Sequence, residues 1–290
     1  SDLQHLLHNL RRKAYAPDKL RFIIIDNTCG ADNELYSGFD NLHNLLIVKH
    51  DPAGLRGSYG HASGLDFAKN IIDTGWTLVL DPDVHIFLDE WDRILPKAIT
   101  HSNAVSAGSP YPWWKLGKYH DFPSPIFNLY KTQDLLNIGI DWTPFHEFFL
   151  RKCWDFLGRQ IVRLGPFATR KRLASSLLMK NLCHNLEKAL WLCGPDTGYR
   201  IAQKARLLTL KALLFTPVDN CLEARQRYGL SEAMGDLAED FELFIWQEIP
   251  VLAHRYSTQS YFWRMPRSND MNHWWDTIEK AERGFFKESI

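Results

Sequence analysis

The 290-residue chain predicts an α/β fold in which a mostly parallel sheet is flanked by helices and followed by a helix-rich C-terminal part. Three observations carry this reading. Short apolar, often β-branched runs stop at polar turn residues around 22–26, 45–50, 77–84 and 104–110. Helical patterning fills the gaps between them, which is the mark of βαβ units. From residue 145 onward the pattern changes to long helical stretches. With 45% hydrophobic and 23% charged residues, the chain can build a packed core.

In chain order, Leu3, Leu6, Leu7 and Leu10 mark one face of an amphipathic helix with a basic end, which does not read as a signal peptide. RFIIIDN reads as a buried strand ending near Asp26, and LLIVKH as the second strand. A Gly-punctuated loop, DPAGLRGSYGHASG, leads into a helix around Leu65 to Ile72. TLVLDPDV supplies the third strand and AVSAGSP the fourth. Three parts are expected: 1–110, 111–202, and a helical C-terminal extension over 203–290.

Composition narrows the function classes. Lys+Arg and Asp+Glu balance at 34 each, so the basic excess of a dedicated nucleic-acid binder is missing. The charge is unevenly spread: residues 151–212 carry 13 Lys and Arg against 3 Asp and Glu, and 213–250 carry 8 acidic against 2 basic residues. These are either two solvated helical faces or, for the basic one, a surface that rests on anionic lipid or a phosphorylated acceptor. The five cysteines form no CxxC pair, which suits a reducing cytoplasm, and no apolar run approaches the ~20 residues of a membrane span. A cytoplasmic location is expected, with peripheral contact at the inner face of a membrane as a further option.

Parallel sheets bind ligands beyond the carboxyl ends of their strands. Asp26, Asn27, Asp81 and Asp83 all fall there. Asp81-Pro82-Asp83 follows the strand TLVL directly, and two carboxylates at i and i+2 can converge on one hard divalent cation, Mn²⁺ or Mg²⁺, shared with substrate phosphates. The bland reading of the triplet is an acidic turn.

The order of these segments resembles family 2 glycosyltransferases, of GT-A fold. The strand ending Ile25-Asp26-Asn27-Thr28, the Gly-rich segment Arg56 to Gly64, the turn Asp73-Thr74-Gly75, and the strand with its DxD all match in order and spacing. The resemblance covers residues 1 to about 202 and implies a nucleotide-sugar-binding half over 1–110 and an acceptor-side half with the catalytic acid over 111–202. It departs from the family in that the usual first strand, which should precede the Leu3–Leu10 helix, is not found; either the N-terminus is truncated or another segment replaces that strand. It implies a nucleotide-diphosphate sugar donor contacted by Asp26, Asn27, Thr28, Arg56, Gly57, Gly60 and Asp81. Asp81 and Asp83 would hold the metal, with His254 as a late third ligand and His273 as its competitor. Asp196, in Cys193 to Ala202, would be the general base of an inverting transfer, or a helix N-cap, or both. Trp113, Trp114 and Asn128 would face a carbohydrate or glycolipid acceptor; core packing is the competing role for the tryptophans. Two other readings stay open: a nucleotidyltransferase on a related sheet, and a degenerate glycosyltransferase domain serving as a carbohydrate-binding or scaffold module.

Overall fold

The structure, a computed structural model, describes residues 2–32, 35, 39, 44–144, 149–165, 167–190, 192, 196–256 and 269–287. Within them the chain is a mixed α/β fold with several sheets. Strands β1 (Phe22–Asp26) and β2 (Leu45–Lys49) form a parallel pair, with Asp26 level with Lys49. A second sheet runs in the order β3 (Trp76–Leu80), β6 (Phe127–Lys131), β5 (Ser106–Gly108), β7 (Ala212–Leu214). A third runs β4 (Val84–Ile86), β10 (Ile249–His254), β9 (Glu242–Trp246), β8 (Thr216–Pro217).

The expectation of a mostly parallel sheet needs correction. Only β1–β2 and β5–β7 pair in parallel among the described residues; the other five pairings are antiparallel. Apolar runs such as TLVL report burial on both faces, not strand direction, and that is why the sequence pattern misleads here. The stretch 203–290 also differs from a purely helical extension. It supplies β7 to β10, and these strands complete both four-stranded sheets.

Helix α1 (Asp2–Lys13) buries Leu6, Leu7 and Leu10 as its 3–4 periodicity requires. Its Asn9 side chain acts as a strand partner: Nδ2 donates to the Ile86 carbonyl at 3.0 Å and Oδ1 accepts from the Ile86 N–H at 2.7 Å. The backbone groups at the outer edge of β4 are thereby satisfied. Helix α2 (Ser58–Ala68) begins inside the segment expected to be a loop. Gly57 precedes it at φ +56°, a left-handed geometry that suits glycine. Gly60 and Gly64 lie within the helix because a Cβ there would come within 2.9 Å of the Leu55 carbonyl and 2.8 Å of Asn27 Oδ1.

Three cores result. The largest packs α1, α3 (Trp91–His101) and α4 (Thr132–Asn137) against the sheets and includes Leu95, Phe127, Leu135, Trp142 and Leu252. A second lies between β9 and the C-terminal helices α9 (Cys221–Gln226), α10 (Glu232–Asp240) and α11 (Met271–Lys287), around Phe241 and Trp274. The third is small and belongs to the helices α5 (Phe149–Val162), α6 (Arg170–Ser175) and α7 (Leu177–Ala189), with Trp114, Leu116 and Val162. Trp274 and Trp275 of α11 belong with the second core, and the aromatic run Tyr261-Phe262-Trp263 lies outside the described residues.

Candidate functional site

The Asp81-Pro82-Asp83 turn is the point at which the chain leaves one sheet for another, from the end of β3 to the start of β4. The third sheet's register decides what meets it. His254 closes β10 opposite Val84, and Glu242 opens β9 opposite His254. The Arg255 N–H also donates to the Asp83 carbonyl at 3.0 Å, holding the turn against the strand end. As a result His254 Nε2 lies 3.2 Å from Asp83 Oδ1 and 3.8 Å from Asp81 Oδ2. One ligand atom from each of the three side chains falls within a 4.8 Å cluster.

The far side of the imidazole is also held. His254 Nδ1 is 2.8 Å from Glu242 Oε2, and Glu242 Oε1 forms an ion pair with Lys115 Nζ at 2.7 Å; both partners are wholly buried. A carboxylate that accepts the Nδ1–H turns Nε2 toward the two aspartates and makes it a better donor to a metal. Two carboxylate oxygens and one imidazole nitrogen are a donor set that Mn²⁺ accepts and Mg²⁺ tolerates. The residues present therefore fit a divalent cation.

The electrostatics point the same way. Burial pushes the Asp81 carboxyl up, against the pull of His61 and His254, with Asp83 adding to the rise. Burial would also raise Asp83, but His254 outweighs it and holds that carboxyl well below the usual range. Burial alone would lower His254; Asp83 and Glu242 reverse this and bring it up to about 10. Two buried carboxylates at one turn thus call for positive charge between them.

The turn opens on a cavity of about 250 Å³. Gly57, Ser58 and His61 from the start of α2 line it beside Asp81 and His254, and Tyr111, Lys115, Lys118, Tyr256 and Asp196 line the remainder. Asp196 is buried and takes an ion pair from Lys118. Its Oδ1 accepts from Ser58 Oγ and from the Thr197 N–H, each at 2.9 Å. Burial would raise this carboxyl; Lys118, with Ser58 and Tyr111, holds it below its ordinary value. Asp196 does not cap the helix that follows. Helix α8 (Tyr199–Leu207) starts after Gly198 at φ +83° with no side-chain cap, and the Asp196 carboxylate turns into the cavity instead.

The structure gathers Asp81, Asp83, His254, Asp196 and Gly57 at one place, and the other sequence-derived candidates do not line the cavity. Asp26 is buried at the end of β1, where its carboxylate accepts from the Thr28 N–H at 2.8 Å, the Thr28 hydroxyl at 2.5 Å and the Gly30 N–H at 2.8 Å. It organises the turn that Thr28 belongs to. Asn27 joins that turn to α2 by donating to the Gly60 carbonyl at 3.1 Å. Arg56 is exposed just ahead of α2. Trp113 donates its indole N–H to Asp219 and lies under Lys180 at 3.6 Å; Trp114 is buried below the Arg170 guanidinium at 4.3 Å. Asn128 is buried in β6 between Val79 and Gly108. None of these three lines the cavity. His273 contacts Asp240 at 2.6 Å, on the C-terminal helices.

Sequence reasoning missed Glu242, Lys115, Lys118, Tyr111 and Tyr256. Two signals could have found the charged ones: a lone acid opening the apolar run ELFIW, and two lysines inside the aromatic-rich WWKLGKYH. Among the described residues no helix is long and apolar enough to cross a membrane. Neither a family model nor a curated protein matches the chain.

Proposed function

We propose that the chain is a metal-dependent, inverting glycosyltransferase of GT-A type that transfers a sugar from a nucleotide-diphosphate donor to an acceptor hydroxyl. The observation that carries this reading is the convergence of Asp81, Asp83 and His254 at a cavity that Asp196 and Lys118 also line. A divalent cation bound by Asp81, Asp83 and His254 would neutralise the donor diphosphate and stabilise it as a leaving group.

The chain's own groups have separable roles in that reading. Gly57 leaves room for close backbone approach at the first turn of α2, where exposed N–H groups suit a phosphate. Lys115 and Lys118 bring positive charge to the cavity. Asp196 accepts the proton of the acceptor hydroxyl as that oxygen attacks the anomeric carbon; the bond to the diphosphate breaks and its electron pair leaves with the diphosphate. In the structure Asp196 is tied to Lys118, which makes it a weak base. A donor diphosphate competes for Lys118 and so releases Asp196 once the donor is seated. The order of binding, donor before acceptor, follows from that exchange.

Calorimetric titration with a panel of nucleoside diphosphates, with and without Mn²⁺, tests the proposal. Binding is expected to need the metal, to prefer one base and to vanish in Asp83→Ala. Asp196→Asn should keep donor affinity and lose turnover by roughly 10²-fold or more, whereas Lys118→Met should weaken diphosphate binding. Absence of any nucleotide binding in Mn²⁺ would sink the transferase reading.

A further inference from the structure

We propose that the outer face of α5 to α7 is a docking surface for an anionic lipid bilayer. This inference does not depend on the transferase reading.

Of the sixteen large hydrophobic side chains exposed among the described residues, nine lie between 150 and 182, so the exposure is concentrated on one part of the molecule. On α5, Leu150, Trp154, Leu157 and Ile161 recur every three or four positions and form one stripe that points to solvent. A separate stripe of the same helix, with Asp155, Gly158 and Val162, faces the third core. On α7, Leu177 and Leu178 are 71% and 82% exposed, and Leu182 is exposed one turn later. Exposed apolar stripes of this kind mark a contact surface.

Charge selects the partner. The segment 149–190 holds only two acids, Asp155 and Glu187, and both are buried. Its exposed charges among the described side chains are cations: Lys171, Arg172 and Lys188. The Arg172 guanidinium lies 5.3 Å from the ring centre of exposed Phe167, and the Trp154 indole N–H donates to the Leu190 carbonyl at 3.2 Å. Leucines, a Trp and a Phe beside cations, with no anion to repel a headgroup, match the composition of helices that lie in the interface of an anionic membrane. A second copy of the chain is the competing occupant, because its acidic stretch 213–250 could supply charge. That stretch exposes only Leu222 and Ile249 among its described large hydrophobics, too little apolar surface to cover the stripe.

The test is flotation of the full chain with phosphatidylcholine vesicles that contain or lack phosphatidylglycerol. Wild type should float only with the anionic vesicles, and less at high salt. Lys171→Gln with Arg172→Gln should weaken the partition about 10-fold or more, as should Leu157→Glu with Leu178→Glu. All four side chains are exposed, so circular dichroism and the melting temperature should stay at wild-type values. Failure of folded wild type to bind phosphatidylglycerol vesicles would overturn the proposal. Wild-type binding by both double variants would do the same. Sedimentation showing a wild-type dimer that the Glu variants disperse, without vesicle binding, would assign the face to a second copy instead.

Discussion

At the scale of single residues, Glu242 links stability to the proposed metal site. It is wholly buried, and burial would push its carboxyl up, but Lys115 and His254 together hold it ionised below its ordinary value. Removing the charge leaves Lys115 buried and unpaired, so Glu242→Gln should destabilise the protein by about 3–5 kcal/mol. Replacing both partners, Glu242→Gln with Lys115→Met, removes the orphaned charge and should restore most of that loss. It should not restore the metal site. With a weaker acceptor at Nδ1, His254 loses its orientation and basicity, and Mn²⁺ affinity should stay roughly 10- to 100-fold down. Urea unfolding and Mn²⁺ calorimetry separate the two effects. A double variant that is stable and binds Mn²⁺ like wild type would show that Glu242 only neutralises Lys115.

At the scale of elements, Asn9 is the joint between α1 and the third sheet. Its amide satisfies both backbone groups of Ile86, and an Asn9→Ala change leaves them buried without partners. At about 1–3 kcal/mol for each of the two groups left unsatisfied, the midpoint of urea unfolding should fall by an amount worth about 2–6 kcal/mol with little change in slope. An unchanged midpoint would mean that water reaches the edge of β4. No sequence pattern announces this contact, because an Asn on an amphipathic helix reads as an ordinary polar position. The same limit explains what else the sequence withheld. The DxD and the strand before it are legible because TLVL is a short apolar run stopped by acids. The β9–β10 hairpin, which brings Glu242 to His254, turns at Gln247 and Glu248 with φ of +51° and +65°. Such turns are normally signalled by Asn or Gly, and here neither is present. The glycines of 57–64 signal a loop, yet two of them serve close packing inside α2. Trp113 and Trp114 look like sugar platforms from composition alone, and only their contacts with Asp219, Lys180 and Arg170 reveal the packing role.

At the scale of the whole molecule, the cores are joined by carboxylates of low exposure, and this sets the response to acid. Glu282 of α11 reaches Arg12 at 3.0 Å and Lys13 at 3.5 Å on α1, and His85 at 2.8 Å on β4. Glu187 of α7 accepts from the Gly117 N–H and lies 3.2 Å from His184 and 3.6 Å from His120. The first clamp ties the C-terminal helix to the main core, and the second ties the small helical core to the loop that carries Lys115 and Lys118. Burial would raise both carboxyls; the cations and donors around them bring each down to about 2 from an ordinary 4.5. A folded-state value below the unfolded one contributes stability that is complete above the unfolded value and disappears as pH falls through the folded value. Both clamps should therefore hold fully above pH 4.5 and release as pH approaches about 2. The melting temperature of wild type is expected to fall across that window more steeply than that of Glu187→Gln with Glu282→Gln, which starts lower at neutral pH and changes less. Parallel curves for the two proteins would place the acid sensitivity in other groups. If Glu187→Gln alone flattens the curve, the helical face proposed to meet the membrane loosens first, because that clamp joins α7 to Gly117 and His120.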